Sequence, residues 1–391
     1  MPSIITLGEI LEVQNGFAFK SEFFSDGDEG MPLIRIRDLK KSCTEIRYGG
    51  KYNEEYIVNA GDYLIGMDGD FEIHQWKGAP GLLNQRVCRL RNFSDDIEPE
   101  YVYYAIQKKL KEIHSNTAFV TVKHLSSKQI KAIEIPLPTL AEQHRIVDIL
   151  KRADSIRRLR KQAIDTARQL IPALFINMFG DPVTNPKGWP TITLGEISSE
   201  MRYGTSKKCH RNPAIDDLPV LRIPNILDGK VDWKDLKFAT LRKKEIDNLL
   251  LQDGDLLFVR TNGNPGYIGR CAVFVGDRKT LFASYLIRVR LSRQSECDPL
   301  YVKTALSMDS YREVIVRQSK TTAGNFNISQ QGLGSLVLPC PKMNMQQEFV
   351  TKLSDIQSII TQQENALAKV EMAFQSLLDA IFANQNIEVM V

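Results

Sequence analysis

The side chains best suited to binding a ligand lie in turn-rich segments that follow short apolar runs. The clearest example is Arg260-Thr261-Asn262-Gly263-Asn264-Pro265-Gly266-Tyr267, which follows the apolar run 256–259 and brings Arg, Asn and Tyr together. In the major groove of DNA, an Arg side chain can make two hydrogen bonds to guanine, and Asn or Gln can make two to adenine. The fragment therefore indicates a surface that hydrogen-bonds base edges, but its composition fits an ordinary hairpin equally well.

The residue patterns that carry catalysis in enzymes are missing from the sequence. It has no GxxxxGK[ST] phosphate loop, no HExxH, no GxSxG and no NPPY-like or DPPY-like tetrapeptide. The histidines are isolated, and the local carboxylate pair Asp68 and Asp70 lacks an accompanying set of metal ligands. We therefore expect no catalytic residue, no bound cofactor and no metal site in this chain.

Composition places the chain among ordinary globular proteins. It has 391 residues, of which 43% are hydrophobic and 25% charged, and this length favours two domains over one core. The net charge of +4 is compatible with nucleic-acid binding without requiring it, because the placement of charge matters more than its total.

Cysteine usage and the N-terminal sequence bear on location. None of the six cysteines forms a CxxC pair, which fits a reducing compartment better than a disulfide framework. The opening sequence MPSIITLGEI lacks the pattern of a signal peptide, and no apolar stretch approaches the ~18–20 residues that span a bilayer. We expect a cytoplasmic protein with no membrane partner.

A long-period internal repeat is the most informative feature of the chain. The segment Ile5-Thr6-Leu7-Gly8-Glu9-Ile10 recurs as Ile192-Thr193-Leu194-Gly195-Glu196-Ile197. Further landmarks recur in the same order, and the distance between copies grows along the chain. They include 33–36 with 220–223, 61–64 with 254–257, 89–91 with 288–290, 99–102 with 299–302, 136–138 with 339–341, and 170–175 with 377–382. The sequence therefore predicts a pseudo-twofold duplication with insertions in the second copy.

Each copy begins with a mixed region. Short β-branched and aromatic runs broken by turn residues predict strands at 32–36, 62–65, 86–91 and 134–137, and at 219–223, 255–260, 284–291 and 335–338. The segments 101–113 and 300–318 have the pattern of helices. We therefore expect α+β regions with mostly antiparallel sheets.

After each Pro-x-Pro the pattern changes to a long helix. Apolar residues recur every three or four positions over 140–178 and 346–383, which is typical of a coiled-coil seam. In the first helix the predicted seam residues are Ile146, Ile149 or Leu150, Ala153, Ile156, Ala163, Ala167, Leu170 and Leu174. We expect the two helices to pair antiparallel, although each could instead pack only on its own domain.

The junctions of these regions resemble those of a known family. Asn185-Pro186-Lys187-Gly188-Trp189-Pro190 before the second copy, and Pro136-Leu137-Pro138 followed by Glu142-Gln143 and Ile146, resemble the specificity (S) subunits of type I restriction-modification systems. The resemblance covers nearly the whole chain. The second junction, Met343-Asn344-Met345-Gln346-Gln347-Glu348, departs from the pattern and matches it more loosely.

The resemblance implies an architecture. It is an α+β fold with two tandem α/β target recognition domains separated by two long antiparallel coiled-coil helices. The implied boundaries are residues 1–139 for the first recognition domain, 140–179 for the central conserved helix, 180–341 for the linker and second recognition domain, and 342–391 for the distal conserved helix.

The resemblance also implies a function. Each recognition domain would read half of a split double-stranded DNA target, and the helices would set the spacing and dock two methyltransferase (M) subunits. Restriction/translocase (R) subunits would join them. S-adenosylmethionine, ATP and magnesium would be bound by those partners.

Candidate DNA-contacting residues follow from the polar loops that could reach base edges or phosphates. In the first domain they are Lys20, Arg35, Arg37, Asp68, Asp70, Gln85, Arg86, Lys123 and His124. In the second they are Tyr203, Lys207, Arg222, Asn225, Arg260, Thr261, Asn262, Tyr267, Ser284, Tyr285, Asn325 and Asn327. Arg35 and Arg222 lie at matching positions of predicted strands, so a structural role is the alternative for both.

Two other functions remain open. A stand-alone DNA-modifying enzyme would show turnover without partners, and a coiled-coil scaffold would not bind DNA.

Overall fold

The chain folds into two compact units. A computed structural model describes residues 3–116, 124–292, 296–322 and 324–382. One unit contains residues 1–161 and 365–391, and the other contains residues 162–364. Each unit therefore holds one mixed α/β region and about half of each of two long helices.

The first unit is built from short strands and helices. Its strands are β1 (Ser3–Thr6), β2 (Glu12–Asn15), β3 (Phe24–Ser25), β4 (Met31–Ile34), β5 (Arg47–Tyr48), β6 (Ile57–Val58), β7 (Tyr63–Gly66), β8 (Ile73–Gln75), β9 (Gly81–Leu83), β10 (Val87–Arg91) and β11 (Glu134–Leu137). Its helices are α1 (Leu7–Ile10), α2 (Ile36–Leu39), α3 (Pro99–Asn116), α4 (Ser127–Lys131) and the first half of α5 (Leu140–Phe179), with 3-10 turns at Ser21–Phe23 and Glu54–Tyr56.

The second unit follows the same plan with more strands. They are β12 (Thr191–Thr193), β13 (Ser198–Tyr203), β14 (Leu218–Leu221), β15 (Ile226–Leu227), β16 (Lys230–Val231), β17 (Lys237–Ala239), β18 (Leu256–Val259), β19 (Thr261–Asn262), β20 (Cys271–Val273), β21 (Leu281–Phe282), β22 (Leu286–Leu291), β23 (Lys320–Thr322), β24 (Asn325–Asn327) and β25 (Val337–Pro339). The helices are α6 (Lys243–Leu249), α7 (Pro299–Leu306), α8 (Asp309–Gln318), α9 (Gln330–Gly334) and the first half of α10 (Met343–Phe382), with 3-10 turns at Ile223–Asn225 and Pro265–Tyr267.

The main sheets of the two units correspond strand by strand. The antiparallel sheet β2-β10-β7-β8 has the same order as β13-β22-β18-β20, and the pair β1-β11 corresponds to β12-β25. Each unit has a second sheet that contains one parallel pair of strands, β4 with β9 in the first unit and β14 with β21 in the second. The sequence repeat is therefore a repeat of fold, and the expectation of mostly antiparallel sheets is confirmed.

The central strand of each main sheet is covered on both faces. In β7, Tyr63 and Ile65 belong to one apolar cluster and Leu64 to another, because successive side chains point to opposite faces. In β18 the same alternation sends Leu256 and Phe258 to one cluster and Leu257 to another. Burial on both faces explains why these strands are continuous apolar runs. The residues that directly follow β7 and β18 therefore lie at the edge of a well-packed sheet.

Two sequence-based expectations about local structure were wrong. The helix predicted at 300–318 is two helices, because Met308 is extended, with φ −67° and ψ 146°, between α7 and α8. Arg35 and Arg222 do not lie in strands. Each directly precedes a short helical turn, where its backbone N–H donates to the side chain of Asp38 (3.0 Å) or Asn225 (2.9 Å), respectively.

A buried glutamine joins each long helix to its unit. Gln143 in α5 donates from Nε2 to the carbonyls of Asp96 and Pro138, both at 2.9 Å, and its Oε1 accepts from the N–H of Glu98 at 2.9 Å. The Gln143 side chain is fully buried, so its amide supplies these three backbone groups with hydrogen bonds in place of water.

Gln346 makes the same three bonds in the second unit. It donates to the carbonyls of Glu296 (2.8 Å) and Pro341 (2.7 Å) and accepts from the N–H of Asp298 (2.9 Å). The looser second junction therefore keeps the one side chain that makes these bonds. The neighbouring tyrosines repeat as well, since Tyr101 donates to the Pro136 carbonyl (2.8 Å) and Tyr301 to the Pro339 carbonyl (2.9 Å).

The long helices are present and run antiparallel within each unit. In the first unit the start of α5 and the end of α10 share one core, through Ile146 and Leu150 on one helix and Phe374 and Leu378 on the other. In the second unit the opposite halves share a core, where the rings of Phe175 and Phe349 lie 5.5 Å apart.

The predicted seam of α5 is wrong in part. The predicted Ile156, Ala163 and Leu170 are exposed, whereas Phe175 and Phe179, which were not predicted, are buried. Of the alternatives Ile149 and Leu150, Leu150 is the buried residue. An α-helix with 3.6 residues per turn drifts about 20° per heptad away from a 3.5-residue repeat. Apolar positions assigned on a seven-residue repeat therefore rotate away from the buried face over the length of this 40-residue helix. Across the described residues, no helix is long and apolar enough to span a bilayer.

We predict that Gln346→Ala destabilises the second unit by about 3 kcal/mol, because three backbone groups lose their partner and a buried unsatisfied group costs about 1–3 kcal/mol. Urea unfolding of the purified chain would measure this change. The neighbouring Gln347 is exposed, so Gln347→Ala is the matched control. Equal stability losses in the two variants would show that the buried bonds contribute little.

Candidate nucleic-acid interface

In the first unit, four chain segments meet just beyond the carboxyl end of β7. The Met67 N–H donates to the Arg86 carbonyl at 3.0 Å, and the Leu125 N–H donates to the Met67 carbonyl at 2.7 Å. The Phe17 N–H, beyond the end of β2, donates to the Leu83 carbonyl at 2.9 Å. These backbone bonds place the side chains of Asp68, Arg86 and His124 at one edge of the main sheet. We call these three residues the first-unit cluster.

The cluster is organised around the carboxylate of Asp68. Arg86 donates from Nη1 to Asp68 Oδ2, and His124 Nδ1 lies 2.7 Å from Asp68 Oδ1. The Asp68 side chain is 10% exposed, while those of Arg86 and His124 are 62% and 61% exposed. A buried anion therefore holds two exposed donor-bearing groups.

The electrostatics favour an ionised carboxylate at neutral pH. Burial acts to raise the pKa of Asp68, but the hydrogen bonds from His124 and Arg86 together outweigh it and leave the pKa below its ordinary value. The stabilisation from this cluster is thus present above the usual carboxyl range and is lost as the pH falls through the lowered pKa.

The second unit brings the same four segments together. The Arg260 N–H donates to the Tyr285 carbonyl at 3.0 Å, the Ile328 N–H donates to the Arg260 carbonyl at 2.9 Å, and the Thr205 N–H donates to the Phe282 carbonyl at 2.8 Å. The backbones of Asp68 and His124 form a β-bridge in the first unit, and Thr261 and Asn327 pair in the same way in the second. Different residues therefore occupy the positions of the first-unit cluster in the second unit. We call Thr261, Tyr285 and Asn327 the second-unit cluster.

The second-unit cluster carries an amide and two hydroxyl groups, and an aromatic–cation pair lies beside it. The guanidinium of Arg260 lies over the ring of Tyr203, with 4.6 Å between its carbon and the ring centroid. Tyr285 is 56% exposed. Asn325 and Asn327 lie on β24, which pairs with Thr261-Asn262. Such a surface presents several hydrogen-bond donors and acceptors and exposed aromatic area, with one formal charge.

A glycine makes the close crossing of segments possible in both units. A Cβ on Gly16 would lie 2.1 Å from the carbonyl oxygen of Asn84, and a Cβ on Gly204 would lie 2.1 Å from that of Phe282. Only a residue without a side chain fits at either crossing. Both glycines sit where the segment after β2 or β13 passes the loop that leads into β10 or β22.

Many of the sequence-predicted residues are brought together at these edges. In the first unit they are Asp68, Gln85, Arg86 and His124, and in the second they are Arg260, Thr261, Asn262, Ser284, Tyr285, Asn325 and Asn327, with Tyr203 below Arg260. Lys123 lies outside the described residues. Phe17, which is 48% exposed at this edge of the first unit, was not predicted individually. Its signal in the sequence was an aromatic residue directly after the turn residues Asn15-Gly16.

The remaining first-unit candidates lie elsewhere. Lys20 is exposed, 3.8 Å from Glu22. Arg35 pairs with Asp38 at 3.1 Å, and Arg37 is exposed on α2. Asp70 is 89% exposed, beyond the first-unit cluster.

The remaining second-unit candidates also have local partners. Lys207 pairs with Glu245 at 3.0 Å, Arg222 pairs with Asp235 at 3.1 Å, and Tyr267 carries the guanidinium of Arg270 over its ring at 3.7 Å. Asn225 is buried, and its Nδ2 donates to the carbonyls of Asp232 and Lys234, both at 2.9 Å. Asn225 therefore holds a loop, and its side chain is buried away from the surface.

Comparison with known proteins identifies the family. The family model described as type I restriction modification DNA specificity domain matches residues 3–168. The specificity subunit of the type I restriction enzyme EcoBI of Escherichia coli is 30% identical to the chain, and the alignment covers 97% of this chain and 85% of that subunit. The chain belongs to the type I restriction enzyme specificity subunits. This assignment confirms the resemblance that the junction residues indicated.

Other members of the specificity subunit family agree. The EcoKI specificity subunit of Escherichia coli K12 is 26% identical over 92% of this chain and 83% of its own length. The crystal structure of the S subunit from M. genitalium superposes with a TM-score of 0.57 at 15% identity, covering 98% of this chain and 96% of that one. The last match shows a shared fold. Among the described residues of this family member, no group of three or more His, Cys, Asp or Glu is placed to hold a metal ion.

We predict that Gly16→Ala disrupts the first-unit edge and lowers stability by about 2–3 kcal/mol, the cost of forcing extra atoms into packed structure. Gly49→Ala is the matched control, because a Cβ there would meet nothing closer than 4.0 Å. Thermal unfolding compares the two variants, and an unchanged melting temperature for Gly16→Ala would contradict the close crossing.

Proposed function

We propose that the chain is the non-catalytic DNA-reading subunit of a type I restriction-modification complex, in which each unit reads one half of a two-part double-stranded target. The observation that carries this proposal is the placement of two different side-chain sets on the same backbone site. Asp68, Arg86 and His124 occupy it in one unit, and Thr261, Tyr285 and Asn327 occupy it in the other.

The side chains suit base reading. Arg86 and Tyr285 are at equivalent positions and are both exposed. Arginine favours guanine, and an amide such as that of Asn327 favours adenine, because each can make two hydrogen bonds at the base edge. Since the two sets differ, we expect the two half-sites to differ in sequence. Exposed lysines such as Lys20 would contact phosphates, which position a protein on DNA without reading it.

The long helices would set the distance between the half-sites. Each helix has 40 residues, which at 1.5 Å per residue gives about 60 Å, and each passes through both units. A rod of this length is compatible with half-sites separated by base pairs that are spanned and not read, since one turn of DNA is about 34 Å.

Partner subunits would supply the chemistry. The relatives named above are specificity subunits of restriction enzymes. By that relationship we propose that this chain assembles with two methyltransferase (M) subunits and with restriction/translocase (R) subunits. S-adenosylmethionine, ATP and Mg²⁺ would be bound by those partners. The purified chain is expected to show no turnover on DNA by itself.

Binding to DNA tests the proposal directly. The target is first mapped from the methylated adenines in a genome exposed to the assembled complex. We expect the complex to bind a duplex with both half-sites, with an affinity that falls steeply with salt because phosphate contacts release counterions. Scrambling either half-site should reduce binding by at least tenfold. Binding that tolerates both scrambled duplexes would contradict bipartite reading, and turnover by the chain alone would make it an enzyme.

Lengthening the helices tests the spacing role. A four-residue helical insert after Lys161, matched by one after Glu364, adds about 6 Å to each helix between the two units. We expect the preferred spacer in the methylated motif to grow by about one or two base pairs, while both half-sites keep their sequence. The control replaces four residues at the same places without changing length. An unchanged spacer in the lengthened variant would contradict the helices as the distance-setting element.

A further inference from the structure

We propose that Asp68 is a positioning residue that fixes Arg86 as the reader of a guanine in the half-site of the first unit. This inference rests on the proposed function and names how one of its two sites works. Asp68 carries a carboxylate at a surface expected to face DNA, which calls for an explanation, because a bare carboxylate would repel phosphate.

The geometry assigns Asp68 an inward role. Its side chain is 10% exposed, and each carboxylate oxygen already has a partner, Arg86 at Oδ2 and His124 at Oδ1. The carboxylate is therefore occupied and compensated by its neighbours. What faces outward is the rest of the arginine, whose side chain is 62% exposed.

An anchored arginine is a better base reader than a free one. A guanidinium carries five N–H donors in a planar fork, so one edge can bind a carboxylate while the other binds the two acceptors of guanine. The anchor fixes the plane of the fork before DNA arrives, which reduces the side-chain entropy lost on binding. Without Asp68 the charge of Arg86 would remain, but its orientation would be set only by the DNA.

The backbone around the pair is itself held. The Met67 N–H donates to the Arg86 carbonyl, and the residue after His124 donates to Met67. The two ends of the Asp68–Arg86 contact thus sit on directly hydrogen-bonded segments. Small motions of one loop would not separate them.

The second unit provides an internal comparison. The equivalent positions carry Thr261 and Tyr285, which cannot form this ion pair. The effect of removing Asp68 must therefore be confined to one half-site. A general loss of folding or charge would instead change the whole target.

The experiment uses the assembled complex and reads the methylated motif across a genome, followed by binding to duplexes that vary one base pair at a time. The variants are Arg86→Ala, Arg86→Lys, Asp68→Asn and the double variant Asp68→Asn/Arg86→Ala. The matched control is Asp95→Asn, which removes the same charge from an exposed side chain outside the first-unit cluster and outside the candidate DNA-contacting residues. Asn327→Ala marks the half-site read by the second unit.

We expect the unaltered motif to contain a G·C pair at which Arg86→Ala lowers discrimination on the order of tenfold to a hundredfold. Asp68→Asn should relax that same position. The double variant should be no worse there than Arg86→Ala, because Asp68 acts through the arginine. Arg86→Lys should keep affinity within a few fold and still lose discrimination, since an ammonium cannot make the planar two-bond contact. Asp95→Asn should leave the motif unchanged.

Several results would overturn the inference. One is an unchanged motif in Asp68→Asn or in Arg86→Lys, and another is relaxation at positions in both half-sites. If Asp68→Asn fails to assemble, Arg86→Lys, with the carboxylate intact, still decides whether a fixed guanidinium reads a base. The absence of a two-part motif in the unaltered complex would instead defeat the proposed function, so the two failures are distinguishable.

Discussion

The arrangement depends on a buried amide at the start of each long helix. Gln143 and Gln346 each bind two carbonyls and one N–H of the neighbouring mixed region, and each is fully buried. Because a buried backbone group without a partner is costly, one side chain that binds two carbonyls and one N–H both satisfies these groups and orients the junction. A long helix can hold its mixed region in one orientation only if the junction between them is fixed in this way. The interaction recurs in both units although most of the surrounding residues have changed.

The two units show which features of a recognition fold can vary. Backbone bonds at the sheet edge and the glycine crossing are the same, while the side chains on them differ completely. Charged residues of the main sheets also exchange partners. Arg91 pairs with Glu12, whereas its counterpart Arg290 binds the buried Asp255 through two hydrogen bonds of 2.7 Å. The counterpart of Glu12, Glu200, binds Arg288 instead. The main chain thus determines where these residues lie, while the types of side chain can differ at the surface that would face DNA.

Sequence alone could predict the repeat, the two long helices, the main strands and many of the residues at the two edges, because periodicity and turn chemistry are local signals. It could not show that Met308 breaks a helix, because the apolar pattern continues through that position. It also could not show that Arg222 and Asn225 hold a loop, because their partners lie 7 to 13 residues away. It also could not reveal that Asp68, Arg86 and His124 converge, because three separate loops contribute them. Which individual residues touch DNA stays a prediction.

The division of the chain has a consequence for its synthesis. Residues 162–364 form one unit without interruption, whereas the other combines 1–161 with 365–391. Phe374 and Leu378 belong to the core of that discontinuous unit, and Lys108 binds Asp379 across it at 2.8 Å. The half that leaves the ribosome first must therefore wait for the last helix before its core can close, while the half made later is complete earlier. During translation the amino-terminal region is the one with an open apolar face, and it is the region that most needs protection from aggregation.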